Sequence, residues 1–307
     1  MGVISLSCDV KQMKKVTSSF KPVNKEVLFI FEPDKLTIWS VDNSNVVLLE
    51  LTAGKDSFLN YSCDEKKTIC VDIENMNKAL SRVMEDDILM LFLGDKSNEI
   101  RVNIIKREQK KISRNREFMF PILETSMKYK EFKSERENSF KIKSSLWKTA
   151  VIDMGISVED YSGDFYVFVS KDKIKFQAGS KGSGKTKVEY HKSELREVNL
   201  KNDLVTVNLG LKYVYDFFRL MQDDLLLDFR LDEKKPLICF FEIADVKLNS
   251  LTSSQPFKFK LLIAQVITRE EDKICSDDDE SGLELGSELD VPVLDNKPVE
   301  EEKGLEL

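Results

Sequence analysis

A repeated unit constrains this chain more than any other feature. Residues 69–104, ICVDIENMNKALSRVMEDDILMLFLGDKSNEIRVNI, and residues 205–243, VTVNLGLKYVYDFFRLMQDDLLLDFRLDEKKPLICFFEI, share one order: strand, helix, acidic turn, strand, charged turn, strand. The acidic turns are Glu85–Asp87 in the first copy and Gln222–Asp224 in the second. Their offset of about 137 residues is far longer than a solenoid period, so the pattern is a duplicated domain and not an array.

The rest of the body follows strand grammar, with short apolar or alternating runs bounded by turn residues. In the first half these runs are residues 26–31, 36–41, 45–51, 88–93 and 99–104; in the second they are 165–170, 173–178, 204–209, 225–231 and 237–243. Pro33–Asp34, Asp42–Asn43 and Gly94–Asp95 are turn signals between them. Four segments have helical spacing of apolar residues: 10–19, 74–84, 145–154 and 211–221, two per half. The polar stretch 124–138, ETSMKYKEFKSEREN, separates the copies as a linker would. The expected division is therefore a first domain at 1–123, a linker at 124–138, a second domain at 139–268 and an acidic tail at 269–307.

Charge divides along the same lines. Over all 307 residues the net charge is −7, but residues 270–307 hold 15 acids against Lys273, Lys297 and Lys303. The body before them has a balance of +5. The tail, acidic and low in aromatics, reads as disordered. On the predicted helices the cations avoid the apolar stripes. The first carries Lys11, Lys14 and Lys15, with Lys21 just beyond; the second carries Lys78 and Arg82 as an i, i+4 pair. The third carries Lys148, preceded by Lys141 and Lys143, and the fourth carries Lys212 and Arg219. Taken singly, each is an ordinary solvated cation. Taken together on one surface, they form a strip suited to sequence-independent, salt-sensitive contact with a phosphate backbone.

Several motifs point elsewhere and are set aside by context. Residues 179–186, GSKGSGKT, match the phosphate-binding P-loop pattern, which needs a helix after it. The residues that follow, Thr186–Tyr190, alternate like a strand, so a hairpin turn is expected there. His191 is the only histidine, and the five cysteines (Cys8, Cys63, Cys70, Cys239 and Cys275) contain no CxxC pair. No metal site, cofactor or active site is expected, and Asp277–Asp279 reads as a solvated acidic run. The N-terminus MGVISLSCDVKQMKK lacks the charged-then-apolar layout of a secretory signal, and no run approaches the roughly 18 apolar residues of a membrane helix. An intracellular protein without membrane contact is expected, nuclear if eukaryotic and cytoplasmic otherwise.

Five stretches, in order and at compatible spacing over residues 1–267, resemble the proliferating cell nuclear antigen family, the DNA sliding clamps of eukaryotes and archaea. They are LTIWSVDNSNVVLLEL (36–51), FLNYSCD (58–64), FMFPILE (118–124), LICFFEIAD (237–245) and KLLIAQVI (260–267). The resemblance implies an α+β DNA-clamp fold: two duplicated domains, each with antiparallel sheets and two short helices, assembling into a ring. It implies three chains per ring, duplex DNA in the hole, DNA polymerase and other proteins that carry a clamp-binding peptide motif, and a clamp-loader ATPase. It places a partner pocket at Val41, Asn45, Val46 and Leu48, with Phe132 from the linker, Pro236, and Leu262, Ile263, Ala264 and Gln265. It places subunit contacts on two edge strands, 117–122 (Phe118, Phe120, Ile122) and 186–191, with Lys187, Val188 and Tyr190. The chain departs from the family in its basic linker (Lys128, Lys130, Lys133, Arg136), in a longer connection at 249–257, in Gln265 and in its long acidic tail. Two other readings remain: a subunit of a specialised, heterotrimeric clamp, and a P-loop nucleotide hydrolase.

Overall fold

The computed structural model describes residues 3–84, 87–108, 111–132, 135–158, 161–179, 184–219, 221–243 and 255–266. In the first half, β1 (Ile4–Asp9) leads into α1 (Val10–Phe20). Then come β2 (Glu26–Glu32), β3 (Lys35–Val41), β4 (Val47–Gly54), β5 (Asn60–Ser62), β6 (Lys67–Asp72) and α2 (Ile73–Leu80), closed by β7 (Asp87–Leu93), β8 (Glu99–Glu108) and β9 (Lys111–Pro121). The second half repeats that succession. It runs β10 (Asn138–Lys143), α3 (Ser144–Met154), β11 (Asp164–Ser170), β12 (Lys173–Gly179), β13 (Lys185–His191), β14 (Leu195–Asn199), β15 (Leu204–Gly210), α4 (Leu211–Phe218), β16 (Leu226–Leu231), β17 (Leu237–Ile243) and β18 (Phe257–Ile263).

The helices start where local chemistry allows. Asp9 caps α1, its Oδ1 accepting from the amides of Lys11 (2.7 Å) and Gln12 (3.2 Å), and Asp72 caps α2 through the amide of Asn75. Periodicity predicts that α2 reaches Met84, but it stops at Leu80. There the Ser81 hydroxyl donates to Lys78 O at 2.7 Å, and the Met84 amide turns to Asp87 Oδ2 at 3.0 Å, so side chains replace the helical ladder. The strand expected from Asn45 begins instead at Val47. The Asp42 carboxylate gathers the amides of Ser44, Val46 and Val47, and Asn45 sits at φ 56°, a left-handed conformation that a strand cannot contain.

Three antiparallel sheets result: β5-β1-β7-β8-β9, β13-β12-β11-β15, and a nine-stranded sheet ordered β14-β10-β16-β17-β18-β4-β3-β2-β6. The last crosses between the halves through the β18–β4 ladder, from Lys258 opposite Thr52 to Ile263 opposite Val47. Strand alternation gives this sheet two faces. Val27, Phe29, Phe31, Leu49, Leu51, Leu261 and Ile263 face the main core, which also takes the apolar sides of all four helices. Leu28, Ile30, Trp39, Leu48, Ile238 and Leu262 face the other way and form a smaller cluster, with Leu123 and Met127 packed on it.

The two halves fill equivalent space differently. Met13 occupies the fourth position of α1, where α3 has Trp147. Trp147 is fully buried and stacks on Phe229 at 4.0 Å, with Phe165 and Phe176 edge-on around it.

Candidate functional site

The four helices form one row. Thr17 Oγ1 and Asn77 Oδ1 join α1 to α2 at 2.8 Å, and Lys14 Nζ reaches Ser81 O. On the other side of α1, Lys15 Nζ meets Gln222 Oε1, just after α4, and Lys148 on α3 donates to Met221 O in the same segment. Lys11, Lys14 and Lys15 line a cleft of about 400 Å³ between α1 and Phe217 and Met221. Lys21 and Lys78 line a second groove, between the end of α1 and α2.

Charge along the row is uneven. Lys15, Lys21, Lys78 and Arg82 are exposed, and Lys14 is half-buried. Lys14, Lys15 and Lys78 donate to neutral oxygens: Ser81 O, Gln222 Oε1 and Asn75 Oδ1. In the second half, Lys148 is paired with Asp223 at 2.9 Å, and Arg219 with Asp216 at 3.6 Å while lying over the Tyr215 ring. Lys212 is exposed beside Asp42 and Asp216. Beyond Lys148, α3 shows solvent the apolar Ile152 and, past its end, Ile156, which is 82% exposed.

On the opposite face of the nine-stranded sheet lies a cavity of about 640 Å³. Val41, Asn45, Val46 and Leu48 line one side, and Pro236, Leu262 and Ala264 the other; Phe132 closes it from the linker. Two expected residues are not lining residues. Ile263 is 1% exposed and points into the main core, because a neighbour of Leu262 on a strand faces the other way. Gln265 Nε2 donates to Asp232 O at 2.9 Å and to Lys235 O, so it braces the wall from behind. Trp39, Ser126 and Met127 also line the cavity, together with Lys128 and Lys130 of the basic linker. Trp39 was within reach of the sequence, two residues before Val41 on the same face of one strand.

The described part of the linker is tied down at several points. Tyr129 packs edge-on to Trp39 and donates to Glu50 at 3.1 Å; burial first, then the Glu50 carboxylate, push its phenol well up. Lys260 Nζ donates to Phe132 O. Asp232 accepts from the Glu137 amide (3.1 Å), from Asn138 Nδ2 (3.0 Å) and from Lys235 Nζ (3.0 Å). Burial opposes its ionisation, yet Lys235 and these donors hold its carboxyl below the usual range.

The two expected contact strands are sheet edges. β9 ends the five-stranded sheet and β13 the four-stranded one. Phe118 and Phe120 stack at 6.3 Å on the core side of β9, and the amide of Ile122, just past the strand, bonds to Asn98 O. On β13, Val188 and Tyr190 are half-buried and Lys187 is exposed; the Tyr190 hydroxyl donates to Leu146 O at 3.0 Å.

The P-loop-like stretch belongs to a hairpin. Gly179 and Lys185 face each other at the end of the β12–β13 ladder, and β13 stands where phosphate binding needs a helix; residues 180–183 lie outside the described residues. Cys8, Cys63, Cys70 and Cys239 are free and buried, with Cys8 and Cys239 pushed strongly toward the thiol by burial. Cys275, Asp277–Asp279, Lys133 and the rest of the tail lie outside the described residues. Among those described, no three His, Cys, Asp or Glu side chains form a metal-holding group, and no helix is long and apolar enough to cross a membrane.

Residues 8–127 match the family model described as proliferating cell nuclear antigen, N-terminal domain. Proliferating cell nuclear antigen of Saccharomyces cerevisiae is 24% identical over 236 residues, covering 75% of this chain and 89% of the relative. Among solved structures, that of the same protein from Thermococcus kodakaraensis superposes with a TM-score of 0.73 at 18% identity, covering 86% of this chain and all of the other. The Entamoeba histolytica protein gives 0.72 at 16%, covering 87% of this chain and all of the other. A. fulgidus proliferating cell nuclear antigen, solved with the C-terminal region of FEN-1 bound, gives 0.70 at 19% with the same coverage.

Proposed function

For a chain that matches proliferating cell nuclear antigen in sequence over residues 8–127 and shares that family's fold, we propose a sliding-clamp subunit. Three chains close into a ring around duplex DNA, and the ring tethers polymerases and other replication or repair proteins through the linker-side cavity. The function is binding, not catalysis. The protein holds DNA topologically and raises the effective concentration of its partners there. Opening such a ring needs a loader ATPase, and the protein would work inside the cell, in the nucleus if the cell has one.

One observation carries the ring. Matching the two halves element by element makes β18 the counterpart of β9, and β4 the counterpart of β13. Within the chain β18 pairs with β4, while β9 and β13 are left as open edges. The free edges are thus the same two surfaces that already join the halves. Repeating that junction between chains is a head-to-tail contact, which generates a closed ring when the rotation per step divides the circle. It also leaves neither edge exposed to stray pairing. The intrachain sheet has nine strands, and joining β9 to β13 would make the five- and four-stranded sheets into another.

Light scattering of the purified chain over a range of concentrations tests this. The expected species is three times 35.4 kDa. A mass of one chain at every concentration would reject self-assembly and turn attention to the heterotrimeric reading, in which other chains supply the complementary edges.

A further inference from the structure

The linker-side cavity carries charge as well as apolar surface, and the two charged residues that line it, Lys128 and Lys130, are both cations. We propose that its occupant is a partner protein's helical peptide whose apolar anchors are flanked by Asp or Glu, with Lys128 and Lys130 reading those carboxylates. The inference rests on the reading of the cavity as a peptide pocket and adds the chemistry of what enters it.

The apolar part is built by Val41, Leu48, Leu262 and Phe132, enough to seat two or three side chains from one face of a short helix. Lys128 and Lys130 line the same space, and among the described residues neither is in an ion pair or hydrogen bond. The carboxylates nearby keep their charge, but their oxygens are turned to other donors and none is paired with Lys128 or Lys130 among the described residues. Asp42 holds the amides of its own turn, Glu50 takes the Tyr129 hydroxyl, and Asp232 is filled by Glu137, Asn138 and Lys235. Glu131, on the same stretch, is exposed and does not line the cavity. Lys260 adds a third ammonium beside Phe132. Trp39, 4% exposed, also lines the cavity, and among the described residues its buried indole N–H has no acceptor. A basic peptide would meet two lysines at this mouth that no carboxylate pairs among the described residues, whereas an acidic one would supply their partners.

The test uses the full chain and two fluorescent peptides with the same anchors, Leu at i and Phe at i+3 and i+4. Four Glu flank one core and four Lys flank the other. At low salt the Glu-flanked peptide should bind at least about fivefold tighter, with the preference shrinking in 0.5 M salt. The double variant Lys128→Glu, Lys130→Glu should reverse the preference, and Leu262→Glu should abolish binding of both. Equal affinities that Leu262→Glu abolishes would overturn the charge reading and leave the pocket standing. No binding of either peptide would overturn both. A synthetic peptide of residues 270–307 that displaces the Glu-flanked probe at matching affinity would assign the site to the chain's own acidic end and reject the partner reading.

Discussion

Asp232 ties three separate segments together. Its carboxylate fixes the end of the linker through Glu137 and Asn138, its backbone oxygen receives Gln265, and Lys235 closes the turn before Pro236. One charge therefore braces this end of the cavity wall. The folded-state pKa is depressed, so the bound protons are fewer in the folded than in the unfolded chain around pH 4. The stability gained is present above the unfolded value near 3.8 and is lost as pH falls through the lower folded value. Asp232→Asn should destabilise the chain at pH 7 by roughly 1 kcal/mol, since the two bonds at Oδ1 lose the strength that the charge gives them and the amide no longer accepts from Lys235. The gap from the parent should narrow below about pH 3.8, as chemical-denaturation curves at both pH values would show. A gap that is constant with pH would mean that the charge on Asp232 is not what holds the wall.

At the scale of elements, the edge strands set the association. Val188 lies half-buried on the core side of β13, where a neighbouring edge would cover it. Val188→Asp leaves a half-exposed carboxylate in the free chain but would bury it at every junction of a closed ring, a cost of up to several kcal/mol per ion. The expected product is a folded single chain in light scattering, with an unchanged far-UV spectrum; a surviving three-chain species would remove β13 from the interface. These edges were legible as strands because Thr186, Val188 and Tyr190 alternate with charged residues. β1, β5, β10 and β14 were not, since β5 has three residues and is held mainly by its partners, with Tyr61 reaching Glu32 O and Lys35 O. Periodicity misses a helix end where a side chain takes over a backbone group, as Ser81 and Asp87 do after α2. The cavity was partly readable for a related reason. Periodicity separates Leu262 from Ile263 and associates Trp39 with Val41, but nothing local says that Lys128 and Lys130 lie against strands more than 80 residues earlier in the chain.

For the whole molecule, the duplication fixes the form of the ring while the charge breaks its evenness. The first half brings six basic residues to the helix row: Lys11, Lys14, Lys15, Lys21, Lys78 and Arg82. The second brings three, and two of those are paired with Asp223 and Asp216. A ring of such chains would alternate strongly and weakly basic stretches around its hole, so phosphate contacts should concentrate on α1 and α2. Each lost contact lowers the slope of log K against log salt by about 0.9. Lys14→Glu with Lys78→Glu should therefore flatten that slope for a labelled duplex and weaken binding at low salt. Lys148→Ala with Arg219→Ala should change it much less, because each removes a cation already compensated by a carboxylate. Lys258→Glu, on the opposite face of the nine-stranded sheet, serves as the control and should leave the slope alone. Anisotropy titrations across the salt range read all three, and equal losses from the two helix pairs would mean that the compensating carboxylates let go when DNA binds and that the hole is electrically uniform.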